Sequence, residues 1–229
     1  DQMLKNLLNL LFPKLCYGCN SLLLKNEANV CSKCRHGLPL TQHHNLEDNY
    51  TTKKFYGIIP VEFSASMLFF HKEGIVQNLI HNLKYRKHQE IGTFLGNWYA
   101  EDLKEIAKKH DFSEIIPVPL HKKRLQERGY NQVTTFCEAL SKNLHINYND
   151  KLLFRNLYSK TQTKKNKEQR NEVTKSLFDV TFTEADYDKH FLLVDDVITS
   201  GATLEACAKA LLKIPNAKIS IVTIAYTDS

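Results

Sequence analysis

From residue 55 onward, two apolar textures alternate along this chain. Short runs dense in β-branched and aromatic residues read as strands: "FYGIIPVEFSASMLFF" from Phe55, with Pro60 marking an edge or bulge, "EIIPVPL" from Glu114, "LLFRNL", residues 191–194 and the closing "KISIVTIAY". Between them, apolar positions recur every three or four residues. Ile75, Leu79, Ile80 and Leu83 share one face of a helix that starts after Gly74, and further helices are expected over 90–109, 131–144 and 203–213. Strands that are apolar throughout are buried on both faces. Their alternation with helices predicts an α/β fold on a parallel sheet.

The first 54 residues have a different texture. Leu4, Leu7, Leu8 and Leu11 fall on one face, which predicts a short packing helix; the stretch lacks the small-residue cleavage site of a signal peptide. Four cysteines follow in the spacing C-x2-C-x11-C-x2-C: Cys16, Cys19, Cys31 and Cys34. Paired knuckles of this kind place four thiolates around one tetrahedral Zn²⁺ and fold a small module that has little core of its own. With all four positions filled by protein, the metal would be structural. Gly18, inside the first knuckle, suits the tight turn that aims both sulfurs inward. The stretch "TQHHNLEDNYTTKK", with His43 and His44, reads as a solvated linker. The chain therefore divides into a metal module with its linker (1–54) and an α/β domain (55–229). Cys137 and Cys207 fall in helical patterns and read as buried thiols.

Hydrophobic residues make up 42% of the 229, enough for a packed core and too many for a disordered chain. No apolar run approaches the roughly 18 residues that span a bilayer, which leaves attachment to a membrane surface open. The net charge of +6 is concentrated. Residues 151–175 hold eight Lys or Arg against two Glu, and residues 121–128 hold four against one. Two local patches of this kind suit a polyanion, either a diphosphate or a nucleic-acid backbone.

The sharpest chemistry lies in "FLLVDDVITSGAT", residues 191–203. Asp195 and Asp196 follow an apolar strand, where unpaired acids are costly to bury. Thr199, Ser200, Gly201, Ala202 and Thr203 then offer hydroxyls and backbone N–H groups at a helix start, a cradle for phosphate. A phosphorylated sugar explains both halves: the loop holds its 5′-phosphate and the acids accept from ribose hydroxyls. Side chains of consecutive strand residues point to opposite faces, so the two acids converge only if the strand has ended before them.

"LLVDDVITSGAT" resembles the phosphoribosyl-pyrophosphate (PRPP) signature of type I phosphoribosyltransferases. With the cysteine module ahead of it, the chain resembles the ComF-like competence protein family, which "IHNLKY", "PVPLHKKRLQERGYNQ" and "KTQTKKNKEQRNEV" also fit. The resemblance implies a parallel-sheet type I phosphoribosyltransferase fold behind a zinc-ribbon-like module. It implies that Asp195 and Asp196 meet the ribose, directly or through Mg²⁺, and that Thr199 to Thr203 hold the 5′-phosphate. Arg124, Arg128 and Gly129 become diphosphate ligands. The stretch 159–172 corresponds to the loop that closes over the diphosphate, with Thr161 and Gln162 as ligands and Lys164 and Arg170 as catalytic candidates; Lys84 and Tyr85 are weaker candidates. The implied setting is cytoplasmic, at the DNA-uptake machinery of the membrane, with single-stranded DNA and a competence helicase as partners. A different implied class is a catalytic, amidophosphoribosyltransferase-like enzyme of nucleotide metabolism, whose acceptor no residue pattern specifies. Two positions depart from the family pattern: Ser200, where threonine is as common, and "TIAYTDS", where a basic residue is expected, leaving the role of Tyr226 open.

Overall fold

The computed structural model describes residues 13–156 and 177–228. Its strands are β1 (Phe63–Phe69), β2 (Glu114–Pro117), β3 (Asn147–Tyr148), β4 (Leu153–Arg155), β5 (Phe178–Val180), β6 (His190–Ile198) and β7 (Lys218–Tyr226). Five of them form one parallel sheet in the order β1-β7-β6-β2-β3, while β4 and β5 pair antiparallel. The helices are α1 (Ser32–His36), α2 (Tyr50–Lys53), α3 (Ile75–Tyr85), α4 (Glu90–His110), α5 (Lys122–Arg128), α6 (Thr134–Leu144) and α7 (Ala202–Leu211). The packing helix expected near the start of the chain lies outside the described residues.

Alternation along β6 sorts the core into two layers. Leu192 and Val194 meet Leu79, Leu95 and Phe136 of α3, α4 and α6 on one face. Phe191 and Leu193 meet Leu204 and Leu211 of α7 and Phe178 of β5 on the other. The chain leaves β2 through α5 and α6 to reach β3 at the sheet edge, and leaves β6 through α7 to reach β7. Those crossovers depart in opposite directions from neighbouring strands. A crevice therefore opens at the carboxyl ends of β2 and β6, the switch point where open α/β sheets bind ligands.

Four expectations change. Residues 55–62 are turns, and the β texture is confined to Phe63–Phe69. The basic stretch after β2 is helical over Lys122–Arg128, capped by the His121 side chain and closed by Gly129 at φ +80°. β6 does not end at Val194, because β7 continues to Tyr226 and carries the ladder on through Asp195↔Thr223, Val197↔Ala225 and Ile198↔Tyr226. The stretch 41–54 is packed on β1 rather than solvated. Asn49 Nδ2 donates to the Ser64 carbonyl at 2.8 Å, and buried His43 begins a side-chain relay through Thr51 and Ser66 to Thr223. His43 is 1% exposed. Its polar residues face the small hydroxyls of β1 and β7, a match that composition alone does not reveal.

Candidate functional site

The four module sulfurs all lie within 4.8 Å of one another, with Cys19 Sγ 3.7 Å from Cys31 Sγ. Zinc–sulfur bonds near 2.3 Å in a tetrahedron put sulfurs about 3.8 Å apart, so this donor set fits a metal of that size. Backbone N–H groups of Gly18, Cys31 and Cys34 point at the Cys16 and Cys31 sulfurs at 3.2–3.4 Å, as donors to thiolates do. Burial pushes the Cys34 thiol up, and its sulfur neighbours add to the shift; a cation among them would reverse this. A Cβ on Gly18 would sit 2.9 Å from Ile75 Cγ2 and 3.0 Å from Cys34 Sγ. The glycine is therefore required by the close approach of the knuckle to α3. Cys137 and Cys207 are buried, as their helical positions predicted.

At the crevice, continuation of β6 separates the two acids. Asp196 shares the face of Leu192 and Val194, is 5% exposed, and pairs with Lys84 Nζ at 2.7 Å from the end of α3. Its Oδ1 accepts from Val197 N at 2.7 Å. Asp195 lies on the opposite face, where it lines a recess of about 40 Å³ with Thr199, Ser200, Gly201, Ala202 and Thr203. Burial, then repulsion from Asp196, pushes the Asp195 carboxyl up to about 8, against partial relief from the Asp196 N–H and from Lys84. The expectation of convergent acids is corrected: one is paired and the other faces the loop.

The loop itself has the expected form. Gly201 caps α7 at φ +82°, a conformation that L side chains rarely adopt, and the Ser200 hydroxyl accepts from Ala202 N at the helix start at 3.4 Å. Thr199, Ser200 and Thr203 are exposed, so their hydroxyls face solvent, and an anion bound here would take the place of the Ser200 hydroxyl at the Ala202 N–H. Lys54 stands beside the loop, its Nζ 5.3 Å from the centroid of the Tyr226 ring. Sequence reasoning missed Lys54 because it sat in the supposed linker.

A second cavity, of about 200 Å³, is lined by Lys84, Tyr85, Lys87, Arg124, Glu127, Arg128 and Tyr130. Arg128 is 9% exposed, donates to Gln132 Oε1 at 2.6 Å, and lies over the Tyr85 ring at 5.0 Å. Tyr130 Oη donates to the Leu83 carbonyl. The structure thus brings Arg124 and Arg128 into one cavity with Lys84, which joins it to Asp196, while Gly129 closes α5 without lining the cavity. Thr161, Gln162, Lys164 and Arg170 lie outside the described residues.

Residues 135–229 match the phosphoribosyl transferase domain family. The chain is 28% identical to Competence protein ComFC of Bacillus subtilis over 202 residues, covering 87% of this chain and 78% of that one. It is 25% identical to the DNA utilization protein YhgH of Escherichia coli strain K12, over 91% of this chain and 95% of that one. Competence protein F of Haemophilus influenzae is likewise 25% identical, over 90% and 94%. Among solved structures, adenine phosphoribosyltransferase from Saccharomyces cerevisiae is similar at a TM-score of 0.40 and 13% identity, over 62% of this chain and 72% of that one.

Proposed function

We propose that this chain, which resembles the ComF-like competence proteins and carries a phosphoribosyl transferase domain behind a four-cysteine module, acts in DNA uptake and transformation, binding PRPP and single-stranded DNA. The observation that carries the ligand reading is the switch-point crevice. There the 199–203 cradle and the Lys84–Arg124–Arg128 cavity flank the same strand end. A 5′-phosphate suits the cradle, since the helix start offers N–H donors and no acid stands among residues 197–204. A diphosphate suits the arginines, whose planar forks take phosphate oxygens in pairs. Asp195, which faces the cradle, suits ribose hydroxyls, and a Mg²⁺ arriving with a diphosphate would favour its ionised form against the burial and the Asp196 charge that otherwise hold it neutral. In the module, the same reading makes the metal structural Zn²⁺, since four thiolates leave no open position.

The DNA half of the proposal draws on charge and on one further cavity. Besides the 151–175 patch, Arg35, His36 and Trp98 line a cavity of about 530 Å³ beside α1. An aromatic ring beside cations is the pairing that single strands use for stacking and backbone contact. A competence helicase is the protein partner this role calls for, and the setting is the cytoplasmic side of the membrane. Among the described residues no helix is long and apolar enough to cross that membrane.

The experiment measures Mg²⁺-dependent pyrophosphate release from PRPP across a panel of bases, amines and carboxylic acids, beside binding of PRPP and of a single-stranded oligonucleotide. Binding of both without turnover supports a site retained for recognition. Turnover with one acceptor replaces that reading with the enzymatic one, and binding of neither removes it.

A further inference from the structure

Helix α3 touches the metal module and the crevice at once. Asn78 and Asn82, one turn apart, donate to the carbonyls of Gly18 at 2.7 Å and Tyr17 at 2.9 Å, both inside the first cysteine knuckle. The knuckle's own Tyr17 reaches further along the chain, stacking on His88 at 4.1 Å and donating to Glu90 Oε1 at 2.5 Å. The next residues of the helix all serve the crevice. Leu83 O receives the Tyr130 hydroxyl, Lys84 pairs with Asp196, and the Tyr85 ring lies under Arg128.

We propose that Asn78 and Asn82 are positioning residues that couple the four-cysteine metal site to the diphosphate end of the crevice. The inference rests on the PRPP reading above. Metal closes residues 16–19 into one knuckle and so fixes the carbonyls of Tyr17 and Gly18. Those carbonyls set the rotation and height of α3 through two hydrogen bonds, of which the Asn82 side chain is buried. The last turn of α3 then places Lys84 between Asp196 and the arginines and holds Arg128, at the end of α5, and Tyr130 just beyond it. Without metal, the knuckle carbonyls lose their fixed position, and the last turn of α3 loses the Asn82 bond that ties it to the module. Coupling of this kind is reciprocal: a ligand that tightens the crevice must also tighten metal binding.

The test uses that reciprocity on the full zinc-loaded chain. Zinc is partitioned at equilibrium against a chromogenic chelator with and without saturating PRPP and Mg²⁺, and melting is followed in parallel. In wild type, PRPP should raise zinc affinity by at least about fivefold, the lower end of ordinary coupling. In N78A/N82A the two affinities should agree within twofold, even where zinc still loads. Gln77→Ala, an exposed neighbour on the same helix, should behave as wild type. Asn82→Asp, which turns the donor into an acceptor facing a carbonyl, should lose the PRPP effect as Asn82→Ala does. If PRPP raises the wild-type melt but leaves zinc affinity unchanged, the coupling is overturned and the ligand site stands. If PRPP does not move the melt, the ligand reading falls and the coupling with it.

Discussion

Lys84 and Asp196 form a 2.7 Å ion pair that ties the last turn of α3 to the end of β6. The aspartate is buried and the lysine side chain is about one-fifth exposed, so neither charge is well hydrated. The pair explains how β6 carries an acid on its helix-covered face. It also means that any ligand contacting Asp196 must compete with, or recruit, Lys84.

Removing one partner should therefore cost stability. Lys84→Met is expected to destabilise by about 3 kcal/mol, the low end for stranding a buried charge. Asp196→Ala should also destabilise, whereas two acids gathered without a cation would predict a gain. The double variant K84M/D196A should recover most of the loss. Urea melts of the four proteins form the cycle that measures the pair.

Asp195 should make the fold lose stability as pH rises from mildly acid to about 8. Its folded pKa is raised from 3.8 to about 8, so between these values the unfolded chain loses the proton while the folded chain keeps it. The unfolded state then binds fewer protons, and this group's contribution to stability falls as pH rises from about 4 to 8. Asp195→Asn should melt higher than wild type at pH 8, with the difference fading near pH 4. A difference independent of pH would exclude this origin.

Much of this fold could be read from the sequence. The start of α3 and both ends of β7 follow apolar periodicity almost to the residue, because deep burial on known faces imposes it, whereas α3 ends at Tyr85, short of the basic residues 86–88. The cysteine spacing and the glycine at 201 were equally legible, since each obeys a local geometric demand. What could not be read depends on partners distant in sequence. β6 passes through two acids because β7 runs alongside it, and 41–54 folds down because Ser64, Ser66 and Thr223 await it. Lys54 and Trp98 escaped for the same reason. Each gains meaning only beside residues far along the chain.

The module should not unfold alone. Cys16, Val30, Cys31, Cys34 and Leu38 belong to the same apolar cluster as Leu79, Leu83 and Leu95. Metal analysis should find one zinc per chain, and Cys31→Ser should lower the melting temperature of the whole protein in one transition. Two separate transitions would show that the shared core contributes little.

Single-stranded DNA binding should have two separable parts. Replacing Lys164, Lys165 and Lys167 together should flatten the dependence of log affinity on log salt, by about 0.7 for each phosphate no longer neutralised. Trp98→Leu should weaken binding by about 1–3 kcal/mol while leaving that slope unchanged, because stacking releases no counterions. A slope that moves with Trp98 and not with the lysines would invert the assignment.

Whether the β2–β6 crevice binds PRPP decides the functional reading, and calorimetric titration of the zinc-loaded chain with PRPP and Mg²⁺ measures it. One site per chain is expected. Binding should be abolished in Gly201→Val, whose φ of +82° a β-branched residue cannot hold without moving the cradle, and weakened at least tenfold in Arg128→Lys. Absence of binding heat at millimolar PRPP, together with a melt that PRPP does not shift, would contradict it.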